Sequence, residues 1–386
     1  FKQKTAYEIA SCLVGSEMCI RDRDGGKGLG SKRVIDYENL PEQRVPRNAQ
    51  PLFNLGAKQF KTLFHDGRVQ VDLSRPSGLR TPLEEEMVEG FSSIISAQTM
   101  FPVLSADEMA GHYSENKISE AVRRGTLTGK GGAWDLISKR VQAIPEYSDF
   151  FIDTYDHIET AQDIKFTDIS NAVAAFMEFE WRSDTSPFDD FLQGRLDLAI
   201  SQEKGMELFY GKANCSSCHA GALFTDHQFH ATGQPQVGPG KAARFQSHSR
   251  DLGRFRVTGN IKDKYAFRTP SLRNVELTGP WGHAGAYSNL EAFVYAHLNP
   301  YLALSNYDKS NVTLTKYDAN DWKIMDNANE VKAIADSITI KPVIISDGEV
   351  TDLLAFLGTL TDIKAQKGRL GIPETVPSGL EIPNPQ

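Results

Sequence analysis

The run Cys215-Ser-Ser-Cys218-His219 constrains this chain more than any other feature of its sequence. A C-x-x-C-H run is the attachment site of a c-type haem. The spacing follows from the chemistry, because two thiols must add to the two vinyl groups of one porphyrin. The adjacent imidazole then reaches the iron as its proximal ligand. We therefore predict that Cys215, Cys218 and His219 hold a covalent haem.

The alternatives to haem attachment are a chance match and half of a zinc site. Zinc would need two more soft ligands close by. The remaining cysteines, Cys12 and Cys19, lie far upstream and are not spaced as a metal-binding pair. Both fall within residues 1–23, which read as translated sequencing-adapter sequence, so we exclude that segment from fold reasoning.

The bulk composition is that of a globular protein. The chain has 386 residues, enough for two domains of ordinary size. A net charge of −8 without a basic block argues against a nucleic-acid partner, and no apolar run reaches the ~18 residues that span a bilayer. Because haem is attached to C-x-x-C-H outside the bacterial cytoplasm in most systems, we expect a periplasmic protein.

Local patterns predict a mainly α protein with long irregular loops. Residues 24–80 are rich in turn-forming types and should be irregular. We expect a helix over 81–98 with three acids near its start, and two short helices over 114–144, broken by the glycines of 129–132. Thr167 can cap a further helix, whose shared apolar face is formed by Ile169, Ala172, Val173 and Phe176.

The second half follows the plan of a cytochrome c domain. A helix capped by Ser201 and closed by Gly211 leads directly into the haem motif. Ser346 and Glu349 form a capping-box pattern that starts a terminal helix, and the first and last helices of such a domain cross. We assign an incomplete N-terminal cytochrome c-like domain to 24–190, a C-terminal one to 191–365, and a proline-rich tail to 366–386.

Several motifs together resemble the bacterial dihaem cytochrome c peroxidases and their MauG-like relatives. They cover most of the usable chain in the order found in that family. The matching segments are 47–54, 64–68, 98–109, the haem motif, 268–274 and 278–285. The resemblance implies two cytochrome c domains, a peroxide-reactive N-terminal haem and a C-terminal haem that feeds it electrons. Only one C-x-x-C-H is present, so we expect the other just before residue 24, and only one haem attachable here.

Gln98 and Glu108 match the family's distal pair above the peroxide-reactive haem. Splitting the O–O bond requires a proton to move between the peroxide oxygens. A carboxylate suits that shuttle, and an amide can hold peroxide by hydrogen bonds. Without the resemblance, both residues read as ordinary solvated helix ends.

His297 matches the family position of the second axial ligand of the C-terminal haem. That position holds methionine in typical peroxidases and tyrosine in the MauG type. A second imidazole gives a lower potential than a thioether, so we expect a low-potential His219/His297 pair. The alternatives are a surface helix histidine at 297 and Met325 as the rival ligand.

Asn48, Thr278 and Pro280 match the family's calcium site between the domains. Calcium accepts amide and backbone carbonyl oxygens, and these residues also read as ordinary turn residues. His65 stands where relatives usually carry tryptophan between the haems.

The remaining candidates concern the haem edge. We expect Arg268, with Arg254 and Arg273 as further candidates, to grip haem propionates through the planar guanidinium group. His283 matches a histidine in the family's mobile loop near the haem edge.

The leading functional hypothesis is a peroxidase that reduces hydrogen peroxide with electrons from a cytochrome c or a cupredoxin. The first alternative is a MauG-like enzyme that oxidises residues of a partner protein. The second is a pure electron-transfer cytochrome c. A homodimer is a further hypothesis for the intact protein.

Overall fold

A computed structural model describes residues 45–105, 109–111, 115–241, 246–312, 314, 320–371 and 373–380, and the backbone alone of 26–27 and 34–35. The predicted mainly α fold is confirmed, since helices and long loops dominate these ranges and the strands are two or three residues long. The helices are α1 (Ile94–Gln98), α2 (Lys117–Arg123), α3 (Ala133–Gln142), α4 (Pro145–Thr154), α5 (Phe166–Glu180), α6 (Pro187–Leu192), α7 (Ile200–Tyr210), α8 (Phe255–Thr258), α9 (Leu290–Leu298), α10 (Pro300–Ser305), α11 (Ala328–Ala335), α12 (Asp347–Gly358) and α13 (Ile363–Lys367).

The strands form small antiparallel sheets. The strands are β1 (Gly26–Lys27), β2 (Val34–Ile35), β3 (Thr62–Leu63), β4 (Val69–Val71), β5 (Leu79–Arg80), β6 (Phe229–His230) and β7 (Phe267–Arg268). β3, β4 and β5 make one sheet, with Thr62 opposite Gln70, while β1 pairs with β2 and β6 with β7. Among the described residues, no helix is both long and apolar enough to cross a lipid bilayer.

The first core lies under α1, α3 and α5. Trp134 and Phe166 stack at its centre with 4.9 Å between ring centroids, and Phe151 is fully buried beside them. The predicted apolar face of α5 is confirmed, since its four named residues are all buried. The predicted cap is wrong, because the helix starts one residue before Thr167 and Asp168 Oδ2 instead accepts from Lys165 N–H at 2.8 Å.

The helix expected over 81–98 is much shorter than predicted. Residues 84–86 form one 3₁₀ turn, and Gly90 adopts a φ of 114°, which only glycine accepts readily. Ser93 then caps α1 by accepting from Ser96 N–H, so the helix begins at Ile94. The two short helices predicted within 114–144 are confirmed as α2 and α3.

The second core is built on the crossing of α7 and α12. Phe209 and Phe356 meet there with 5.2 Å between ring centroids. Gly205 of α7 lies directly against the Asp352 carbonyl of α12, where a Cβ atom would collide with the backbone. The capping box at Ser346 and Glu349 is confirmed. The predicted cap at Ser201 is wrong, because α7 starts at Ile200 with Ala199 at the cap position. The helix ends before Gly211, as predicted.

The end of the chain returns to the segment that joins the two cores. Asp362 accepts hydrogen bonds from the N–H groups of Asp184 and Thr185 at 2.9 and 2.8 Å. Glu180 Oε2 accepts from the N–H groups of Arg369 and Leu370 at 3.0 and 2.8 Å. The predicted boundaries at 190 and 365 stay predictions.

Candidate haem site

The haem motif forms a tight turn at the end of α7. Asn214 adopts the left-handed region with φ 56°, and residues 215–217 form a 3₁₀ turn. His219 N–H then donates to Cys215 O at 2.9 Å, which brings the thiol and the imidazole to one side of the turn. The two motif cysteines are not joined to each other by a disulfide, and burial raises the pKa of the Cys215 thiol to about 11.

These residues line a cavity of about 710 Å³, a volume typical of ligand sites. Its walls are largely apolar, including Leu272, Val275, Phe293, Val294 and Leu357. Cys215, Cys218, His219 and His297 all reach this one cavity. The structure therefore brings together the predicted attachment residues and the predicted second axial residue.

The two histidines are held in the same tautomer. Nδ1 of His219 donates to Phe224 O, and Nδ1 of His297 donates to Phe293 O, both at 3.0 Å. Because a carbonyl can only accept, Nδ1 carries the proton in each ring and Nε2 is left with its lone pair. Such a lone pair is what a metal requires of a neutral histidine.

Burial keeps both rings neutral. It lowers the pKa of His219 to about 4, and the neighbouring His297 adds to this lowering. Burial also lowers the pKa of His297 below its ordinary value. Met325, the rival ligand, instead packs in a separate cluster with Tyr265 and Leu304 and does not line the cavity.

The three candidate arginines have different partners. Arg273 pairs with the buried Asp189 carboxylate at 2.5 and 2.9 Å. Arg254 donates to the backbone carbonyls of Asp66 and Gly67 at 3.0 and 2.9 Å. Both guanidinium groups are thus already held by protein groups.

Arg268 lines the cavity as a buried cation. Among the described residues, its guanidinium donates to two backbone carbonyls, those of Phe64 at 3.3 Å and Thr269 at 3.2 Å. Burial lowers the pKa of Arg268 to about 10, and within the described ranges no carboxylate offsets that lowering. A buried charge of this kind calls for an anion, which a haem propionate would supply.

Other histidines surround the cavity without sharing this arrangement. His283 lines it and stacks on Phe267 with 3.7 Å between ring centroids. His230 pairs with Asp226 at 2.8 Å. The Cys218, Asp226 and His230 ligand atoms lie within 4.8 Å of one another, which is one donor short of a structural zinc site.

The N-terminal half contributes part of the cavity wall. His65 lines the cavity, and its Nε2 donates to Asn48 O at 3.0 Å. Burial lowers the pKa of His65 to about 4, helped by the nearby Arg47 charge. The side chain is therefore a neutral imidazole between the two halves.

Asn48 also joins the two halves at the predicted calcium site. Its Nδ2 donates to Pro280 O at 2.7 Å, and its backbone N–H donates to His283 O at 2.9 Å. Thr278 lies two residues before Pro280 in the same loop, and it lines the cavity. The side-chain amide and a carbonyl of the predicted set are thus adjacent.

The predicted distal pair is described only in part. Gln98 ends α1, and its Oε1 accepts from Gln50 Nε2 at 2.5 Å. Glu108 lies outside the described residues.

Comparisons with known proteins agree with these observations. The sequence profile described as Di-haem cytochrome c peroxidase matches residues 20–197. The cytochrome c551 peroxidase of Pseudomonas aeruginosa is 33% identical over 270 residues, which are 64% of this chain and 73% of that protein. The chain belongs to the di-haem cytochrome c peroxidase family.

Two further proteins are similar to this chain. The methylamine utilization protein MauG of Methylorubrum extorquens is 28% identical over 289 residues, covering 74% of this chain and 62% of MauG. The crystal structure of the diheme peroxidase BthA of Burkholderia thailandensis matches with a TM-score of 0.55 at 19% identity, covering 97% of this chain and 81% of BthA. This second match supports the two-domain cytochrome c-like fold. The chain spans about three fifths of the length of the MauG relative.

The residues present fit the haem c that the family implies. Two thiols, paired histidines with available Nε2 atoms and one uncompensated guanidinium converge on a cavity of suitable size. The sequence analysis missed the two carbonyls that fix the rings, because any residue type can supply a backbone carbonyl. It also missed Gln50, whose position inside 47–54 was the available signal.

Proposed function

We propose that the intact protein reduces hydrogen peroxide to water with electrons from a small redox protein. In this proposal Cys215, Cys218, His219 and His297 would hold a haem c in the described cavity. The observation that carries it is the pair His219 and His297, whose available Nε2 atoms share the cavity with both motif thiols. The bound haem supplies one-electron redox chemistry.

Ligation by both histidines would suit electron delivery. If His219 and His297 both held the iron, peroxide would have no place to bind on that haem. A second imidazole also favours a low potential compared with a thioether. We therefore assign His219 and His297 as the axial pair and Arg268 as the partner of a propionate.

The peroxide reaction is assigned to Gln98 and Glu108. Hydrogen peroxide takes up two electrons and two protons to give two waters. The Gln98 amide would hold the peroxide by hydrogen bonds. The Glu108 carboxylate would move a proton from one peroxide oxygen to the other. This centre needs a second haem, which we assign to the intact protein.

Calcium is proposed at the contact between the two halves. Asn48 and Pro280 already lie within hydrogen-bond distance there, and turning the Asn48 amide would present two oxygens to a cation. Calcium accepts this kind of oxygen set. With Thr278, the ion would hold the halves in register.

The test is peroxide turnover by the full-length protein in its haem-loaded form. Reduced cytochrome c and a cupredoxin serve as donors, and Glu108→Gln is compared with the unchanged protein. We expect donor oxidation that depends on peroxide and falls by roughly 10²-fold or more in the variant. Fewer than two irons per mature molecule, or no turnover with either donor, would contradict the proposal. A periplasmic location is part of it, and fractionation checks that part.

A second candidate is a MauG-like enzyme that oxidises residues of a partner protein. His297 in place of methionine favours it, since a low-potential ligand set stabilises oxidised iron. The MauG relative also aligns with more of this chain than the peroxidase does. Peroxide-dependent crosslinking or hydroxylation of a co-purifying protein, without donor oxidation, would favour this candidate.

A further inference from the structure

A second glutamine holds the amide of Gln98. Gln50 Nε2 donates to Gln98 Oε1 at 2.5 Å, and both side chains are half-buried. Gln50 Oε1 in turn accepts from the backbone N–H of Phe64 at 2.9 Å. Three segments of the N-terminal half thus join in one polar chain that ends at Gln98.

The direction of this chain is fixed at Phe64. A backbone N–H can only donate, so Gln50 must present its oxygen to Phe64 and its nitrogen to Gln98. Gln98 must then present its oxygen to Gln50. Among the described residues no group bonds to Gln98 Nε2, so its N–H groups can donate to a ligand bound there.

Phe64 is itself firmly placed. It adopts the left-handed region with φ 65°, and its carbonyl accepts from Arg268 Nε at 3.3 Å. Its ring packs edge-on against Phe101, with 5.3 Å between centroids, and lies under the Arg68 guanidinium. The donor that orients Gln50 therefore cannot turn without breaking several contacts.

We propose that Gln50 is a positioning residue that makes Gln98 face peroxide as a hydrogen-bond donor. Free rotation would otherwise let either end of the Gln98 amide face the ligand, because the two ends have nearly the same shape. The inference rests on the proposed role of Gln98 at the peroxide centre. Fluoride binding tests whether Gln50 orients Gln98, and peroxide turnover tests whether Gln98 acts at the peroxide centre.

Gln50→Glu reverses the direction of the chain with almost no change in shape. A carboxylate still accepts from Phe64, but it can no longer donate to Gln98. Gln98 then turns its nitrogen toward residue 50 and its oxygen toward the ligand. Gln50→Leu removes the bond without reversing it. Gln202→Glu on α7 is the matched control, because Gln202 Oε1 accepts from Ala199 N–H and a carboxylate can accept the same bond.

The first measurement is fluoride binding to the ferric, full-length, haem-loaded protein. Fluoride accepts hydrogen bonds, so its affinity reports a donor beside it. We expect affinity to fall roughly 10-fold or more in Gln50→Glu, less in Gln50→Leu and not at all in Gln202→Glu. In a Gln98→Leu background, Gln50→Glu should have no further effect, because two residues acting through one contact are not additive.

The second measurement needs no activity and uses this chain. The side-chain amide resonance of Gln50 should shift in Gln98→Leu and stay in place in Gln202→Glu. An unmoved resonance, unchanged fluoride affinity in Gln50→Glu, or an equal loss in the Gln98→Leu background would each overturn the positioning role. Gln50-dependent fluoride binding without peroxide turnover would instead leave the positioning role standing and end the proposed function.

Discussion

His219 and His297 are oriented in the same way although they lie on separate elements. Each ring donates from Nδ1 to a backbone carbonyl at 3.0 Å, and each keeps Nε2 available to a common cavity. Because both carbonyls lie close in sequence to their histidines, local backbone geometry fixes the tautomers. The pair is therefore ready for a metal before any cofactor binds.

His297→Ala should open one axial position of the haem. The reduced chain that carries only the haem at Cys215 and Cys218 should not bind carbon monoxide rapidly, because both imidazoles would hold the iron, whereas the variant should bind it. Met325→Leu is the control and should leave the visible spectrum unchanged, because Met325 lies outside the cavity. Rapid carbon monoxide binding by the unchanged chain with that one haem would contradict ligation by His297.

Arg268→Met should lower the reduction potential of the haem. Removing a buried cation beside the porphyrin disfavours the added electron, by an amount on the order of tens of millivolts. Arg256→Met, at an exposed position of α8, should have a much smaller effect. Spectroelectrochemical titration measures both, and equal shifts would refute a specific role for Arg268.

Asn48→Leu should abolish stabilisation by calcium. Millimolar calcium should raise the melting temperature of the unchanged protein, since an ion that binds only the folded state stabilises it. The variant lacks the side-chain oxygen and should show no such rise. Asn329→Ala, at an exposed position of α11, is the control, and a calcium response retained in Asn48→Leu would place the ion elsewhere.

Gly205→Ala should destabilise the second half by roughly 1–3 kcal/mol, because the added methyl group meets the Asp352 carbonyl where α7 and α12 cross. Gly348→Ala in the first turn of α12 meets no atom within 4 Å. It should be neutral or stabilising by up to ~1 kcal/mol. Denaturant unfolding compares the two, and an equal effect would mean that the helices are farther apart.

Asp189→Asn should lower the free energy of unfolding by roughly 3–5 kcal/mol at neutral pH, because it leaves the buried Arg273 without its anion. Burial alone would raise the pKa of Asp189, but hydrogen bonds from Arg273 and Ser186 outweigh it and hold the pKa below its ordinary value. The stabilisation is therefore present above the unfolded pKa of about 3.9 and is lost as the pH falls below it. Denaturant unfolding at several pH values should show that the difference in unfolding free energy between the variant and the unchanged protein shrinks in acid. A difference that grows in acid would contradict this role of the Asp189 carboxylate.

The sequence could predict residues whose side-chain chemistry is specific to their task. Cys215, Cys218 and His219 are of this kind, and His297 followed from the family resemblance. The carbonyls of Phe224 and Phe293 could not be predicted, because they carry no residue-type signal. Likewise, the Asp189–Arg273 pair depends on helix α6 meeting a distant turn in space, which spacing along the chain does not reveal.

Helix prediction failed where one residue overrode a longer pattern. Acidic residues at 84–86 indicated a helix start, yet the positive φ of Gly90 interrupts the segment before Ser93 caps α1. Gly205 carries no pattern that the sequence analysis could use. The reason for that glycine is the backbone of α12, which only the folded structure brings into contact.

The bonds from Glu180 to the backbone of Arg369 and Leu370 mean that the polypeptide passes between its two halves a second time. Cleavage near residues 183–186 should leave the two fragments associated, because residues 362–370 remain hydrogen-bonded to the segment around Glu180 and Asp184. This returning segment therefore holds the halves together in addition to the contacts of Asn48 with the second half.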